Sequence, residues 1–111
     1  GYAFRSDFLH RKGNPRRMVL MRVSGDSMVP EIQDNDLVLL DQGQTEIVSG
    51  RLYAIGFEDA IYIKRIDLLP GQIVLHSTNP AYPPVTLDLS GDCAEQFRVI
   101  GRVLWSGREY R

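Results

Sequence analysis

Two β-favouring runs joined by only two residues constrain this chain more than any other feature of its sequence. Arg51–Phe57 and Ala60–Leu68 are rich in branched and aromatic residues, and only Glu58 and Asp59 separate them. Two residues suffice for a tight turn between antiparallel strands but are far too few for the crossover that parallel strands need. The sequence therefore predicts an antiparallel hairpin at its centre.

Four further short segments have strand-like composition and are bounded by turn residues. In the last of them, Phe97–Trp105, Gly101 could mark a bulge. Many short strands with regular turns predict a compact, mainly β domain of antiparallel, barrel-like or sandwich type. The four segments are Met18–Val23, Leu37–Leu40, Gln72–Ser77 and Phe97–Trp105, and the glycine is Gly101.

Helical signals are few. Ser6 is placed to cap a short turn over Asp7–Arg11, and Pro30–Ile32 predicts one further turn. Residues 79–84 contain three prolines, which remove backbone donors and fix φ, so this stretch predicts an ordered loop.

The chain has 111 residues, which is enough for one domain but not comfortably for two. Its single cysteine, Cys93, has no partner for an internal disulfide. Apolar runs such as Leu37–Leu40 are far too short to span a membrane. We therefore expect a cytoplasmic protein that needs neither a cofactor nor a metal.

Charge is distributed unevenly along the chain. Residues 1–22 hold six basic residues and one acidic residue, whereas residues 23–59 hold eight acidic residues and one basic residue. The basic stretch could contact nucleic acid, but a solvated lead-in over residues 1–17 is the simpler interpretation, because an acidic domain is a poor DNA clamp. Gly1 stands where an initiator methionine would, which predicts a fragment of a longer protein.

Ser27 is the first candidate for chemistry. It follows a glycine-containing turn directly behind a predicted strand, in Val23–Pro30. Such a turn can present a hydroxyl and aim neighbouring backbone N–H groups at one point. Asp and Ser also favour turns for structural reasons alone, so the segment by itself leaves both interpretations open.

A serine nucleophile needs a base. The two histidines, His10 and His76, have no neighbours in sequence that would orient them, so nothing favours a Ser-His-Asp triad over other arrangements. A metal site formed by these histidines and Cys93 is less favoured still.

Lys64 is the other candidate base. On a strand it shares a face with mostly apolar residues, where burial would disfavour the ammonium form and leave an amine able to accept a proton. The alternative is a lysine whose stem is buried and whose charged end reaches water. The residues on the same predicted face are Ala60, Tyr62, Ile66 and Leu68.

Five segments, in this order, resemble the LexA/UmuD/phage-repressor peptidase family. Val-Ser-Gly-Asp-Ser-Met-Val-Pro at 23–30 resembles its Ser-Met-x-Pro box, and Asp34–Asp41 resembles its acidic turn and strand. Tyr62–Ile66 carries its Lys-Arg pair. Ser77–Pro84 resembles its Asn-Pro-x-Tyr-Pro loop, and Val99–Trp105 resembles its closing Ile-Gly-x-Val strand.

The resemblance implies the family's compact, β-rich fold of the S24 peptidase type, which contains a β-clip. It implies that Ser27 is the nucleophile and Lys64 the neutral, buried general base. The backbone N–H groups of Asp26 and Ser27 would form the oxyanion hole, and Met28 and Pro30 would shape the turn and the substrate groove.

The resemblance also implies partners. Residues 18–111 would form a homodimer, and an N-terminal helix-turn-helix domain, absent from this chain, would bind operator DNA. A RecA filament would stimulate cleavage in self-cleaving members. The implied dimer-interface residues are Val99, Ile100, Val103 and Trp105.

One feature departs from self-cleaving members of the family, which cut an Ala-Gly or Cys-Gly bond upstream of the serine. Neither dipeptide occurs in this chain. Self-cleavage is therefore a hypothesis. A non-proteolytic regulatory and dimerisation module and a UmuD-like self-processing protein are the alternatives.

Overall fold

The chain is built outward from the predicted central hairpin. Strands β3 (Arg51–Phe57) and β4 (Ala60–Leu69) pair antiparallel in continuous register. Glu58 in the connecting turn has a φ of 55°. This left-handed conformation lets two residues reverse the chain.

The computed structural model describes residues 3–91 and 95–110, so Gly1 and Cys93 lie outside the described residues. Among the residues it describes, no helix is long and apolar enough to cross a membrane. The remaining elements are α1 (Ser6–Lys12), a 3-10 turn (Pro15–Arg17), β1 (Met18–Arg22), β2 (Leu37–Asp41), β5 (Gln72–His76), β6 (Val85–Asp88) and β7 (Phe97–Gly107).

The seven strands of the described residues form one antiparallel sheet in the order β1-β2-β7-β3-β4-β5-β6. The prediction of a mainly β, antiparallel domain is confirmed. The sequence did not predict β6. This strand follows two prolines at the edge of the sheet and exposes most of its side chains, so its apolar pattern is weak.

Element boundaries differ slightly from expectation. The cap position of α1 is Arg5, and no side chain caps it, so the prediction that Ser6 caps this helix is wrong. α1 has no buried residue. It is attached through Phe4, whose ring packs edge-on against Trp105 of β7 at 5.0 Å between centroids. Its other end is held by the segment after β2, because the carbonyl of Lys12 accepts from the side chain of Gln44 at 3.0 Å and that of Arg17 from the N–H of Gln42 at 2.8 Å. The lead-in is therefore largely solvated but attached at both ends.

β7 carries two register shifts. One falls at Ile100, beside the glycine that the sequence marked as a bulge. A Cβ at Gly101 would lie 2.6 Å from the carbonyl oxygen of Asp41, so the close approach of β2 and β7 requires glycine here.

Two hydrophobic clusters lie on opposite faces of the sheet, because successive side chains of β3 alternate between them. The first cluster also contains residues of the segment between β1 and β2, so that segment is anchored to the sheet. The first cluster consists of Val23, Met28, Ile32, Val38, Leu40, Ala54 and Ile63, and the second of Tyr53, Ile55, Ile66, Ile73 and Leu75.

A buried ion pair closes the segment between β1 and β2. Asp36 is 3% exposed and accepts hydrogen bonds from Arg108 Nε at 2.8 Å, from Arg108 Nη2 at 2.9 Å and from the N–H of Gln33 at 2.8 Å. The bonds from Arg108 hold the pKa of Asp36 below its usual value, against the opposing effect of burial. The chain after β7 thus fixes the turn that leads into β2.

We expect Arg108→Ala to lower the free energy of unfolding by about 1–3 kcal/mol, because it leaves a buried carboxylate without its cation while Arg108 itself is partly exposed. Urea unfolding measures this. The pKa of Asp36 in the folded protein is below its usual 3.8, so the ionised carboxylate stabilises the fold fully above pH 3.8. This stabilisation is lost as the pH falls through the pKa of the folded protein. The difference from wild type should therefore persist between about pH 5 and pH 7.

The matched control is Arg5→Ala. It removes an ion pair whose two side chains are 86% and 63% exposed, so its effect should be below about 0.5 kcal/mol. Equal losses in the two variants would contradict the structural role of Asp36.

Candidate active site

Ser27 lies on an anchored turn. The segment leaves β1 through Gly25, which has a φ of 97°, and makes one turn in which the N–H of Ile32 donates to the carbonyl of Met28 at 2.9 Å. Met28 is only 2% exposed and packs in the first cluster, whereas Ser27 is half-buried. Burial of a methionine side chain stabilises by about 1.5–3 kcal/mol, which holds the turn against the sheet.

Two backbone N–H groups at this serine, those of Asp26 and Ser27, are available to a ligand. The N–H groups of Asp26 and Ser27 make no hydrogen bond to any residue within 3–91 or 95–110. The neighbouring N–H of Gly25 is engaged by the carboxylate of Asp34 at 2.7 Å. The two N–H groups that the resemblance assigns to an oxyanion hole are therefore free to bind an oxygen.

Lys64 lies on β4, directly opposite Tyr53 of β3. Its Nζ donates a hydrogen bond to Ser77 Oγ at 2.7 Å and lies 5.7 Å from the ring centroid of Tyr82. Burial lowers the pKa of Lys64 from its usual 10.5. The amine is thus easier to neutralise than that of a solvated lysine.

The predicted apolar face around Lys64 is only partly correct. Ile66 is fully buried, but Tyr62 is 45% and Leu68 47% exposed. Lys64 itself is half-buried rather than buried. It lies at the border of the second cluster, because β5 pairs with β4 only from Arg65 onward.

One loop connects the serine turn to the lysine strand. The N–H of Asn79 donates to the carbonyl of Ser27, and its side-chain amide donates to the carbonyl of Asp26, both at 3.0 Å. The hydroxyl of Tyr82 donates to the Asp26 carboxylate at 2.5 Å. Since this loop begins at Ser77, the partner of Lys64, it holds both candidate groups.

The structure does not join the two candidates by a direct hydrogen bond. Among the residues described, Ser27 Oγ has no hydrogen-bond partner, and the hydrogen bond that Lys64 Nζ donates goes to Ser77. Tyr62, two residues before Lys64, lines the space next to each of them.

Two concave surfaces meet at Tyr62. We call them the serine cleft, of about 340 Å³, and the lysine cavity, of about 390 Å³. The lysine cavity is almost wholly apolar apart from its amine and hydroxyl groups. The serine cleft is lined by Met21, Arg22, Val23, Ser24, Gly25, Ser27, Met28, Ile61, Tyr62 and Ile63, and the lysine cavity by Ile55, Phe57, Tyr62, Lys64, Leu75, Ser77, Tyr82, Pro83, Val85 and Leu87.

Both walls of the serine cleft are strand edges. Among the strands that the structure describes, β1 pairs only with β2. β4 pairs with β3 from residue 60 to 66, but with β5 only from residue 65 onward, so residues 60–64 leave one backbone edge unpaired within the described chain. Unpaired strand edges accept an extended peptide through backbone hydrogen bonds.

The two candidate histidines lie elsewhere. His76 Nε2 lies 2.9 Å from a carboxylate oxygen of Asp67, and His10 lies on α1. Neither histidine contacts a serine among the hydrogen bonds of the described residues, so a Ser-His-Asp triad receives no support.

Of the two residues implied to shape the turn and the groove, Met28 anchors the turn to the sheet through the first cluster and lines the serine cleft. Pro30, which follows a cis peptide bond, is exposed.

The predicted dimer residues lie on β7, between β2 and β3. Val99 packs against the second cluster, Ile100 and Val103 pack against the first, and Trp105 contacts Phe4. All four remain only partly buried in the chain.

The contacts of Ser77, Asn79 and Tyr82 were missed as individual predictions. Sequence reasoning recognised their loop only as a motif, Asn-Pro-x-Tyr-Pro. A polar residue directly after a strand that neighbours the lysine strand is the local signal that could have identified Ser77.

Comparison with known proteins gives consistent similarities. A family model described as peptidase S24-like matches residues 2–104. The chain is 39% identical over 83 residues to repressor protein CI of Enterobacteria phage phi80, covering 74% of this chain and 33% of that protein. It is 32% identical over 77 residues to the LexA repressor of Photobacterium profundum, covering 68% and 40%.

A third relative is an uncharacterised HTH-type transcriptional regulator of Haemophilus influenzae, which is 32% identical over 85 residues, or 76% of this chain and 35% of that protein. The chain thus spans about a third to two fifths of the length of these relatives.

The contact between Tyr82 and Asp26 has a measurable consequence. The Asp26 carboxylate raises the pKa of Tyr82 above its usual 10.0, because it accepts a hydrogen bond from the phenol and because loss of the phenolic proton would place two negative charges together. We expect Asp26→Asn to lower the pKa of Tyr82, measured by NMR titration of ¹³C-labelled tyrosine. Asp59→Asn, which changes an exposed carboxylate in the hairpin turn, is the control, and an identical effect of the two variants would contradict the contact.

Proposed function

Because the chain belongs to the peptidase S24-like family, we propose that it is the self-cleaving regulatory domain of a LexA- or CI-like transcriptional repressor. Ser27 is the nucleophile of this reaction and Lys64 is its general base. One observation carries the proposal: a single loop binds the backbone of Ser27 and the amine of Lys64, whose pKa is lowered by burial.

The chemistry follows from these groups. Neutral Lys64 takes the proton of Ser27 Oγ as that oxygen attacks the carbonyl carbon of the scissile peptide bond. The N–H groups of Asp26 and Ser27 donate hydrogen bonds to the oxyanion that forms. The ammonium of Lys64 then returns the proton to the leaving amine. Water, deprotonated by Lys64, hydrolyses the remaining ester and frees Ser27.

Substrate geometry is set by the serine cleft. An extended segment fits between the free edge of β1 and the unpaired edge of residues 60–64, where backbone hydrogen bonds hold it in register. Ser27 lines this cleft. A scissile segment that belongs to the same polypeptide gains a high effective concentration there.

The rest of the protein is proposed from the relatives. Their names, repressor and HTH-type transcriptional regulator, support a helix-turn-helix domain preceding this chain that binds operator DNA. A cytoplasmic location and stimulation by a RecA filament belong to the same proposal. The repressor names favour this role over a UmuD-like self-processing protein.

Self-cleavage is tested with the full-length gene product. At alkaline pH we expect two fragments, and the cleavage rate should rise with pH up to the pKa of Lys64, which is below 10.5, because only the neutral amine is a base. Ser27→Ala and Lys64→Met should each reduce the rate at least about 100-fold. Gel electrophoresis over time at several pH values measures this.

Ser106→Ala is the matched control, since it removes an exposed serine hydroxyl on β7 and should leave cleavage unchanged. If wild type and Ser27→Ala behave alike, the peptidase proposal is wrong and the domain acts as a non-proteolytic regulatory module.

The proposal includes a homodimer formed through side chains of β7. Both edges of β7 are paired in the sheet, so a partner can contact only its side chains, which are partly exposed at Val99, Ile100, Val103 and Trp105.

Sedimentation equilibrium should show a dimer at micromolar concentration, and Trp105→Arg should weaken it about tenfold or more, because a buried aromatic contact is replaced by a charge. Tyr110→Arg changes an aromatic residue that is 84% exposed outside the sheet and is the control. A monomeric wild type would exclude the dimer, and an unchanged Trp105→Arg dimer would exclude this surface.

A further inference from the structure

Ser77 is the hydrogen-bond acceptor of the candidate base. We propose that Ser77 is a positioning residue that orients the amine of Lys64 toward Ser27. This inference deepens the proposed function and rests on it. It is carried by the Lys64 Nζ to Ser77 Oγ hydrogen bond of 2.7 Å and by the attachment of the Ser77 loop to the serine turn.

The register of the sheet places this hydroxyl. β4 and β5 pair from Leu69 opposite Gln72 to Arg65 opposite His76. Continuing this antiparallel register by one residue sets Ser77 opposite Lys64 on the same face of the sheet. The contact is therefore a cross-strand pair at the point where β5 ends, and its geometry is fixed by the five pairs before it.

The loop after Ser77 fixes the hydroxyl relative to the nucleophile. Thr78 donates a hydrogen bond to the carboxylate of Glu31 at 2.8 Å, and the N–H of Asn79 donates to the carbonyl of Ser27 at 3.0 Å. Only one residue separates Ser77 from the residue that binds the serine backbone. Movement of Ser77 away from Lys64 would break these contacts.

The chemistry requires such an acceptor. A neutral amine has two N–H bonds and one lone pair, and the lone pair must point at the proton that it removes. When one N–H is held by Ser77 Oγ, rotation about the Cε–Nζ bond is restricted, and the lone pair is kept for Ser27. After proton transfer the same oxygen accepts a hydrogen bond from the ammonium, so Ser77 also stabilises the charged product.

Within residues 3–91 and 95–110, no carboxylate offers Lys64 an alternative anchor. Lys64 makes no ion pair among the described residues. The two nearby acids are already engaged, Glu31 by Arg65 at 2.8 Å and Asp26 by Tyr82. A neutral hydroxyl positions the amine without the large rise in its pKa that a carboxylate would cause.

The test uses the fact that the chain has only two lysines, Lys12 and Lys64. In protein labelled with ¹³C at lysine Cε, each titrates as a separate NMR signal, and Lys12→Arg assigns them. Ser77→Ala removes an acceptor that favours the ammonium, so the Lys64 midpoint should shift to lower pH while the Lys12 signal is unchanged. Ser77→Thr keeps a hydroxyl and should restore the wild-type midpoint.

Ser90→Ala is the matched control, because it also removes one serine hydroxyl hydrogen bond, to Asp88, and neither Ser90 nor Asp88 lines the lysine cavity. A Lys64 midpoint that is the same in wild type and Ser77→Ala would overturn the inference, whatever the cleavage activity. Thermal unfolding of each variant verifies that it is folded.

The cleavage reaction supplies the second readout. In the full-length protein, Ser77→Ala should lower the plateau rate at alkaline pH by about tenfold and shift the pH profile to lower pH, because the base is neutral more often but less well oriented. Ser77→Thr should recover most of the rate. An unchanged plateau would overturn the positioning role.

Failure of the proposed function is distinguishable from failure of this inference. If wild type does not cleave at any pH, the peptidase proposal is wrong, and the positioning role falls with it. If wild type cleaves and Ser77→Ala cleaves equally well with an unshifted profile, only the role of Ser77 is wrong.

Discussion

The site depends on the point at which β4 and β5 stop pairing. Their ladder ends at Arg65 opposite His76, and the chain then leaves the sheet to cross toward the serine turn. Three consequences follow from that one departure. The backbone of residues 60–64 keeps a free edge, Ser77 meets Lys64, and Asn79 reaches the carbonyls of the serine turn. A longer β5 would close the cleft in which the proposed substrate segment binds.

The electrostatics of the site depend on which acids are already occupied. Glu31 lies on the serine turn but binds Arg65, and Asp26 lies beside Ser27 but accepts from Tyr82. Asp36 is bound by Arg108. A lysine close to a free carboxylate would keep its proton. Because these acids have other partners, burial alone governs the lowered pKa of Lys64.

Local sequence signals predicted most strands, because the residues that favour a strand and the turns that bound it lie next to one another in the sequence. The two residues between Phe57 and Ala60 allowed only a hairpin, and the apolar run at 37–40 became a strand with every residue buried. β6 was missed because an edge strand after two prolines buries little apolar surface.

The site was predicted less completely. Alternation along β4 correctly placed Lys64 with Ile66. It could not reveal that Tyr62 is exposed, since that depends on where the neighbouring strand ends. The bond between Ser77 and Lys64 required the register of β4 and β5, and the contacts of Asn79 join residues about fifty positions apart, which no local pattern encodes.

Stability and chemistry oppose each other at Lys64. An amine that is half-buried without a counterion destabilises the folded state whenever it is protonated. The free-energy cost of desolvating the ammonium exceeds the stabilisation from its hydrogen bond to a neutral hydroxyl. The fold tolerates this because the neighbours of Lys64 on its own face bury large apolar surfaces: Tyr53, opposite it, and Ile66, two residues along β4, are both fully buried. A methionine here would fill the same space without the cost. The presence of a desolvated amine, held by a hydroxyl beside an anchored serine turn, is therefore better explained by the proposed need for a neutral base than by a requirement of the fold.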